Sequence, residues 1–163
     1  MDGSDISIEQ FGIGQPVKRR EDQRFLTGAG HFTDDIDLPG QAWGYVLRSP
    51  HAHAKIVSID TAAAKRSPGV LAVYTIADLD AESIQEIPTQ VDVPGKDGTQ
   101  MFKPTRPVLA RDTVRFVGDP VAYVVAESLE EARDAAELVA VEYDPLPAIT
   151  ELARAHDPGA PVV

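Results

Sequence analysis

A chain of 163 residues, 43% hydrophobic and 25% charged, has the composition of one folded domain with enough apolar area for a core. Its net charge of −11 argues against a surface built for nucleic-acid phosphates or anionic membranes, which attract excess Lys and Arg. With no cysteine it forms no disulfide, offers zinc no thiolate and cannot ligate an all-cysteine iron–sulfur cluster; a reducing cytoplasm is compatible.

The first residues, Met1 to Asp5, are acidic where an export signal is basic, and no stretch approaches the ~20 apolar residues of a membrane span. Neither export nor membrane insertion is expected. Residues 1–40 are polar and glycine-rich with little periodicity, which predicts an extended arm lying against something larger. Residues 41–48, with Trp43, Tyr45, Val46 and Leu47, predict a first strand closed by Ser49-Pro50. Ile56 to Asp60 predicts a second strand, and Thr61 to Arg66 a short helix stopped by Ser67-Pro68-Gly69. Val70 to Thr75 returns to strand content.

From about Asp80 to Pro107, prolines, glycines and scattered charges predict one long loop, a substrate entrance or a subunit contact. Thr113 to Val117, the turn Gly118-Asp119-Pro120 and Val121 to Ala126 predict a β-hairpin. Ser128 and Glu131 have capping-box spacing, in which the hydroxyl and the carboxylate each satisfy the other residue's amide. The helix they start places Leu129, Ala132, Ala135, Ala136 and Val139 on one face. Val139, Val141 and Tyr143 alternate with polar or small neighbours and predict a last strand ending before Asp144. Residues 155–161 read as linker, and Val162 and Val163 as a cut end.

Several groups are candidates for chemistry, and each has a simpler explanation. His51 and His53 share one face of a strand, as a metal pair would, but no cysteine or acidic ligand accompanies them. Asp34, Asp35 and Asp37 resemble the start of a calcium loop that lacks its glycine and closing glutamate. Gly12-Ile13-Gly14 and Gly28-Ala29-Gly30 are partial phosphate loops without a preceding strand. Glu21-Asp22 among Arg19, Arg20 and Arg24 is read as an exposed ion-pair network rather than an acid–base pair. Ser49 and Ser128 lack a nucleophile elbow. No residue is therefore assigned a catalytic, cofactor-binding or metal-binding role.

A series of phrases remains: Gly14 to Val17 with Arg20-Glu21-Asp22, Leu26 to Asp35, Arg48 to Ile56, Ser67 to Val70, Val114 to Ala122 and Ala136 to Pro147. In this order they resemble the N-terminal part of large subunits in the xanthine dehydrogenase, aldehyde oxidase and aerobic carbon monoxide dehydrogenase family. Arg48 to Ile56 is the most family-specific, and the arm is most similar to the carbon monoxide dehydrogenase-like branch. The resemblance implies an α+β fold, the α/β-hammerhead, with a mixed β-sheet, a few packed helices and an N-terminal arm. It implies an arm over 1–40 packing on the rest of the large subunit, a hammerhead over 41–150, and a linker over 151–163 towards absent molybdopterin-binding domains. It further implies a molybdenum–molybdopterin cofactor in the complete large subunit and 2Fe-2S clusters and FAD on partner subunits. The partners would be an iron–sulfur small subunit and an FAD-binding medium subunit, in a cytoplasmic dimer of heterotrimers. The motifs that bind the pterin and the catalytic glutamate have no match here, so this chain would be a non-catalytic domain of a molybdopterin-dependent oxidoreductase. A stand-alone binding or scaffold module reusing the fold is the alternative.

Overall fold

The computed structural model describes residues 19–161, so Gly12-Ile13-Gly14, the phrase Gly14 to Val17 and Val162-Val163 lie outside the described residues. The chain divides between Gly40 and Gln41 into two compact units. In the first, where no regular element was expected, a short helix α1 spans Asp22–Leu26, and a 3-10 turn spans Thr33–Asp35. The helix ends in a Schellman motif. Gly28, at φ +75°, occupies the left-handed position, its amide donates to Phe25 O at 3.2 Å, and Ala29 N donates to Arg24 O at 2.9 Å. The rings of Phe25 and Phe32 stack at 5.2 Å.

The second unit contains two three-stranded sheets. Strands β1 (Trp43–Arg48), β5 (Pro120–Ala126) and β3 (Val70–Tyr74) form the first, in the order β1-β5-β3. Strands β4 (Thr113–Val114), β2 (Ala54–Asp60) and β6 (Ala140–Pro145) form the second, in the order β4-β2-β6. Helix α2 covers Ile76–Ala81 and α3 covers Leu129–Glu137. All four strand pairings are antiparallel, so two antiparallel sheets stand where one mixed sheet was expected.

Strand β5 reads Pro-Val-Ala-Tyr-Val-Val-Ala because it is central and flanked on both edges; its proline sits at the first position, where no ladder amide is needed. One of its faces carries Ala122, Val124 and Ala126, which pack against Ala132, Ala135, Ala136 and Val139 of α3 and its exit. The alanines on this face let the helix lie close on the sheet. Ala54, Ala110, Val114 and Val121 form a second core, and Ile59 and Val141 pack against both. Burying one such valine completely contributes about 1.5–3 kcal/mol.

Five local features differ from these expectations. The proposed hairpin over 113–126 does not form: β4 pairs with β2 and β5 with β1 and β3, so the chain changes sheets at residues 115–119. Asp119 makes that crossing by accepting from Arg115 N at 2.9 Å, with Gly118 at φ +94°. The helix proposed over 61–66 is only a 3-10 turn at Ala64–Arg66, because the proline at 68 holds Ser67 extended at ψ 144° and leaves no room for a second turn. Helix α2 precedes the long loop unannounced. In the Ser128 box only one half forms as expected: Glu131 N donates to Ser128 Oγ at 3.2 Å, while the carboxylate takes the Ser128 hydroxyl at 2.9 Å instead of the amide. The last strand also runs two residues further than expected, through Asp144-Pro145.

Candidate functional site

Three of the least periodic phrases in the sequence meet at one place in the second unit. Arg48 to His53 carries the chain from β1 in the first sheet to β2 in the second. Arg115 to Asp119 carries it back from β4 to β5. The two crossings are bonded side by side: Ser49 N donates to Asp119 O at 2.9 Å, Gly118 N to Ser49 O at 2.8 Å, and the Arg48 guanidinium to Gly118 O at 2.9 Å. The third phrase, at the end of β6, closes the junction through Leu146 N to His53 O at 2.9 Å and His53 Nδ1 to Pro147 O at 2.8 Å. A carbonyl only accepts, so the proton sits on Nδ1 of His53.

Ser49 lies at the centre and is 2% exposed. Its hydroxyl accepts from His51 N at 3.0 Å and donates to His51 O at 3.3 Å. The His51 ring tilts against Tyr143 with centroids 4.8 Å apart. Burial pushes the Tyr143 phenol above its ordinary value; the bond from Ser49 opposes this and the charge of Asp119 reinforces it. The hydrogen-bond partners of the Ser49 hydroxyl are two backbone groups of His51 and no imidazole nitrogen, so the geometry is that of a strut rather than a nucleophile.

The other candidates are also accounted for locally. Asp35 accepts from Phe32 N at 2.8 Å and holds the 3-10 turn. A side chain at Gly30 would strike the Phe25 ring, and Gly28 is the helix cap, so this glycine pair serves close packing. Arg19 meets Asp22 only at 3.9 Å, and Arg24 lies over the Phe25 ring at 5.1 Å, so among the described residues the expected charge network reduces to one long ion pair and one cation–π contact. A cleft of 290 Å³ is formed by the C-terminal segment from Ala148 to Pro161. Among the described residues no group of three or more His, Asp or Glu side chains is placed to hold a metal, and no helix is long and apolar enough to cross a membrane.

Neither the pairing of the two crossings nor the role of Tyr143 emerges from periodicity. The available signal was negative: the three phrases interrupt the alternation of the strands with Pro, Gly and His.

Residues 27–147 match the family model described as aldehyde oxidase and xanthine dehydrogenase, a/b hammerhead domain. The chain belongs to this family. The chain is 43% identical over 152 residues to the carbon monoxide dehydrogenase large chain of Afipia carboxidovorans, covering 93% of its own length and 17% of that one. It is 43% identical over 150 residues to the nicotine 6-hydroxylase large subunit of Paenarthrobacter nicotinovorans, covering 92% and 18%. A solved structure of a Cu,Mo-CO dehydrogenase superposes with a TM-score of 0.73 at 43% identity, over 94% of this chain and 18% of that one. The chain thus spans less than a fifth of the length of the curated relatives it matches. Ser49, His51 and His53, in its most family-specific phrase, are engaged in the junction between the two sheets.

Proposed function

We propose that this chain is a supporting, non-catalytic hammerhead module of a molybdopterin-dependent hydroxylase or dehydrogenase acting on aldehydes, N-heterocycles or carbon monoxide. The observation that carries this reading is the likeness of 94% of the chain to 18% of a Cu,Mo-CO dehydrogenase chain. Its side chains supply packing and a two-sheet junction, and the redox chemistry belongs to the polypeptide beyond it. In this reading residues 1–40 are an arm against the rest of the large subunit, 41–150 the hammerhead and 151–163 a linker towards molybdopterin-binding domains. The molybdenum–pterin group is held there, 2Fe-2S clusters and FAD are held on small and medium subunits, and the assembly is a cytoplasmic dimer of heterotrimers. The stand-alone alternative is disfavoured because the relatives carry this domain inside much longer chains.

The test is to exchange this sequence for the matching segment of the Afipia carboxidovorans large chain. A folded large subunit that assembles with its partners is expected. An exchanged chain that does not fold, beside a parent that does, would count against the reading.

A further inference from the structure

The stretch between α2 and β4 lacks helix and strand, yet its two legs are paired. At its root, Arg111 forks onto the Asp80 carboxylate, with Nη2 to Oδ1 at 2.9 Å. Further out, Ile87 N donates to Arg106 O at 2.8 Å and Lys103 Nζ to Asp92 Oδ2 at 2.8 Å. The tip closes through Gly95 N to Thr99 O at 2.9 Å, while the Thr99 amide and hydroxyl both donate to Asp97 Oδ1. Residues 80–111 are therefore a finger folded back on itself at residues 95–99. It is anchored where Leu109 and Ala110 are buried and Ala110 N donates to Pro120 O at 2.7 Å.

The finger displays apolar side chains: Ile84, Ile87, Val91 and Val93 are more than half exposed, and Phe102 is 85% exposed. Between Asp80 and Arg111 there are five acidic and four basic side chains, so this near-neutral segment belongs to a chain of net charge −11. A preformed, near-neutral loop that exposes several large apolar groups has the character of an interface core. The partner follows from charge and length. A second copy would bring one strongly negative body against another. Each relative carries more than four-fifths of its chain beyond the matched portion, tethered to the domain at high effective concentration.

We propose that residues 84–106 are a docking finger that inserts against the remainder of the large subunit. The inference rests on the functional reading above, and the experiment separates the two. In the exchanged large subunit, a photo-crosslinking residue replaces Phe102, and the linked peptides are identified by mass spectrometry; Val57, exposed on the second sheet, is the control position. Links from 102 to peptides outside the exchanged segment are expected. Links confined to the exchanged segment, or to another copy, in a subunit that still assembles would overturn the finger alone. An exchanged chain that does not fold would overturn both. As a second measurement, V91S/V93S/F102S should leave the melting temperature of the isolated domain unchanged, because these side chains are already exposed, and should lower that of the complete subunit. An equal effect on both would also overturn the finger.

Discussion

Ser49 is the residue on which the junction depends, since one hydroxyl serves the β1–β2 crossing while its backbone serves the β4–β5 crossing. Ser49→Ala leaves the half-buried His51 N without its side-chain acceptor, and should cost about 1 kcal/mol in urea unfolding. Its neighbour Tyr143 has a phenol held above its ordinary value by burial, so the folded state favours the neutral form. For a group whose folded value is raised, the stability it contributes is complete at lower pH and is lost as pH rises through the ordinary phenol range, about 10, and beyond. Unfolding titrations from about pH 8 to pH 11 should show this alkaline loss in the native sequence, and Tyr143→Phe should flatten it. At this scale the sequence was legible only in part. The cap at Ser128 could be read from spacing because its partner is three residues away. The partners that bond Ser49 to the other crossing, Gly118 and Asp119, are 69 and 70 residues away in the chain, beyond the reach of any local pattern.

At the scale of elements, strands β1, β2, β3, β5 and β6 and helix α3 follow from apolar patterning, because each buries a face that its own sequence declares. What failed was pairing. Val114 and Val121 lie seven residues apart across a Gly-Asp-Pro turn and look like two arms of a hairpin, yet both point into the second core while their strands join different sheets. A turn signal marks a change of direction and is silent about which sheet receives the next strand. Helix α3 and its exit press four small or medium side chains onto β5, and that fit sets another prediction. Ala135, fully buried, has no room for a larger group, so Ala135→Leu should destabilise by about 1–3 kcal/mol, seen as a lowered urea midpoint with an unchanged slope. Ala→Leu at the exposed Ala155 should have little effect.

At the scale of the whole molecule, the family was legible because its phrases occur in order along nearly the entire chain, and the match over residues 27–147 establishes it. The candidate site was legible only as motifs, and the structure makes those motifs a junction between two sheets. The domain fills less than a fifth of its relatives' chains and commits its most specific residues to holding its own sheets together, which supports the proposed reading of a scaffold to which other polypeptide adds redox chemistry. The most direct test is to purify the 163-residue chain from cells that make molybdopterin and measure its molybdenum content together with substrate-dependent dye reduction by carbon monoxide, an aldehyde and an N-heterocycle. A folded protein with neither bound molybdenum nor turnover is predicted. Stoichiometric molybdenum, or turnover by this chain unaided, would contradict the account.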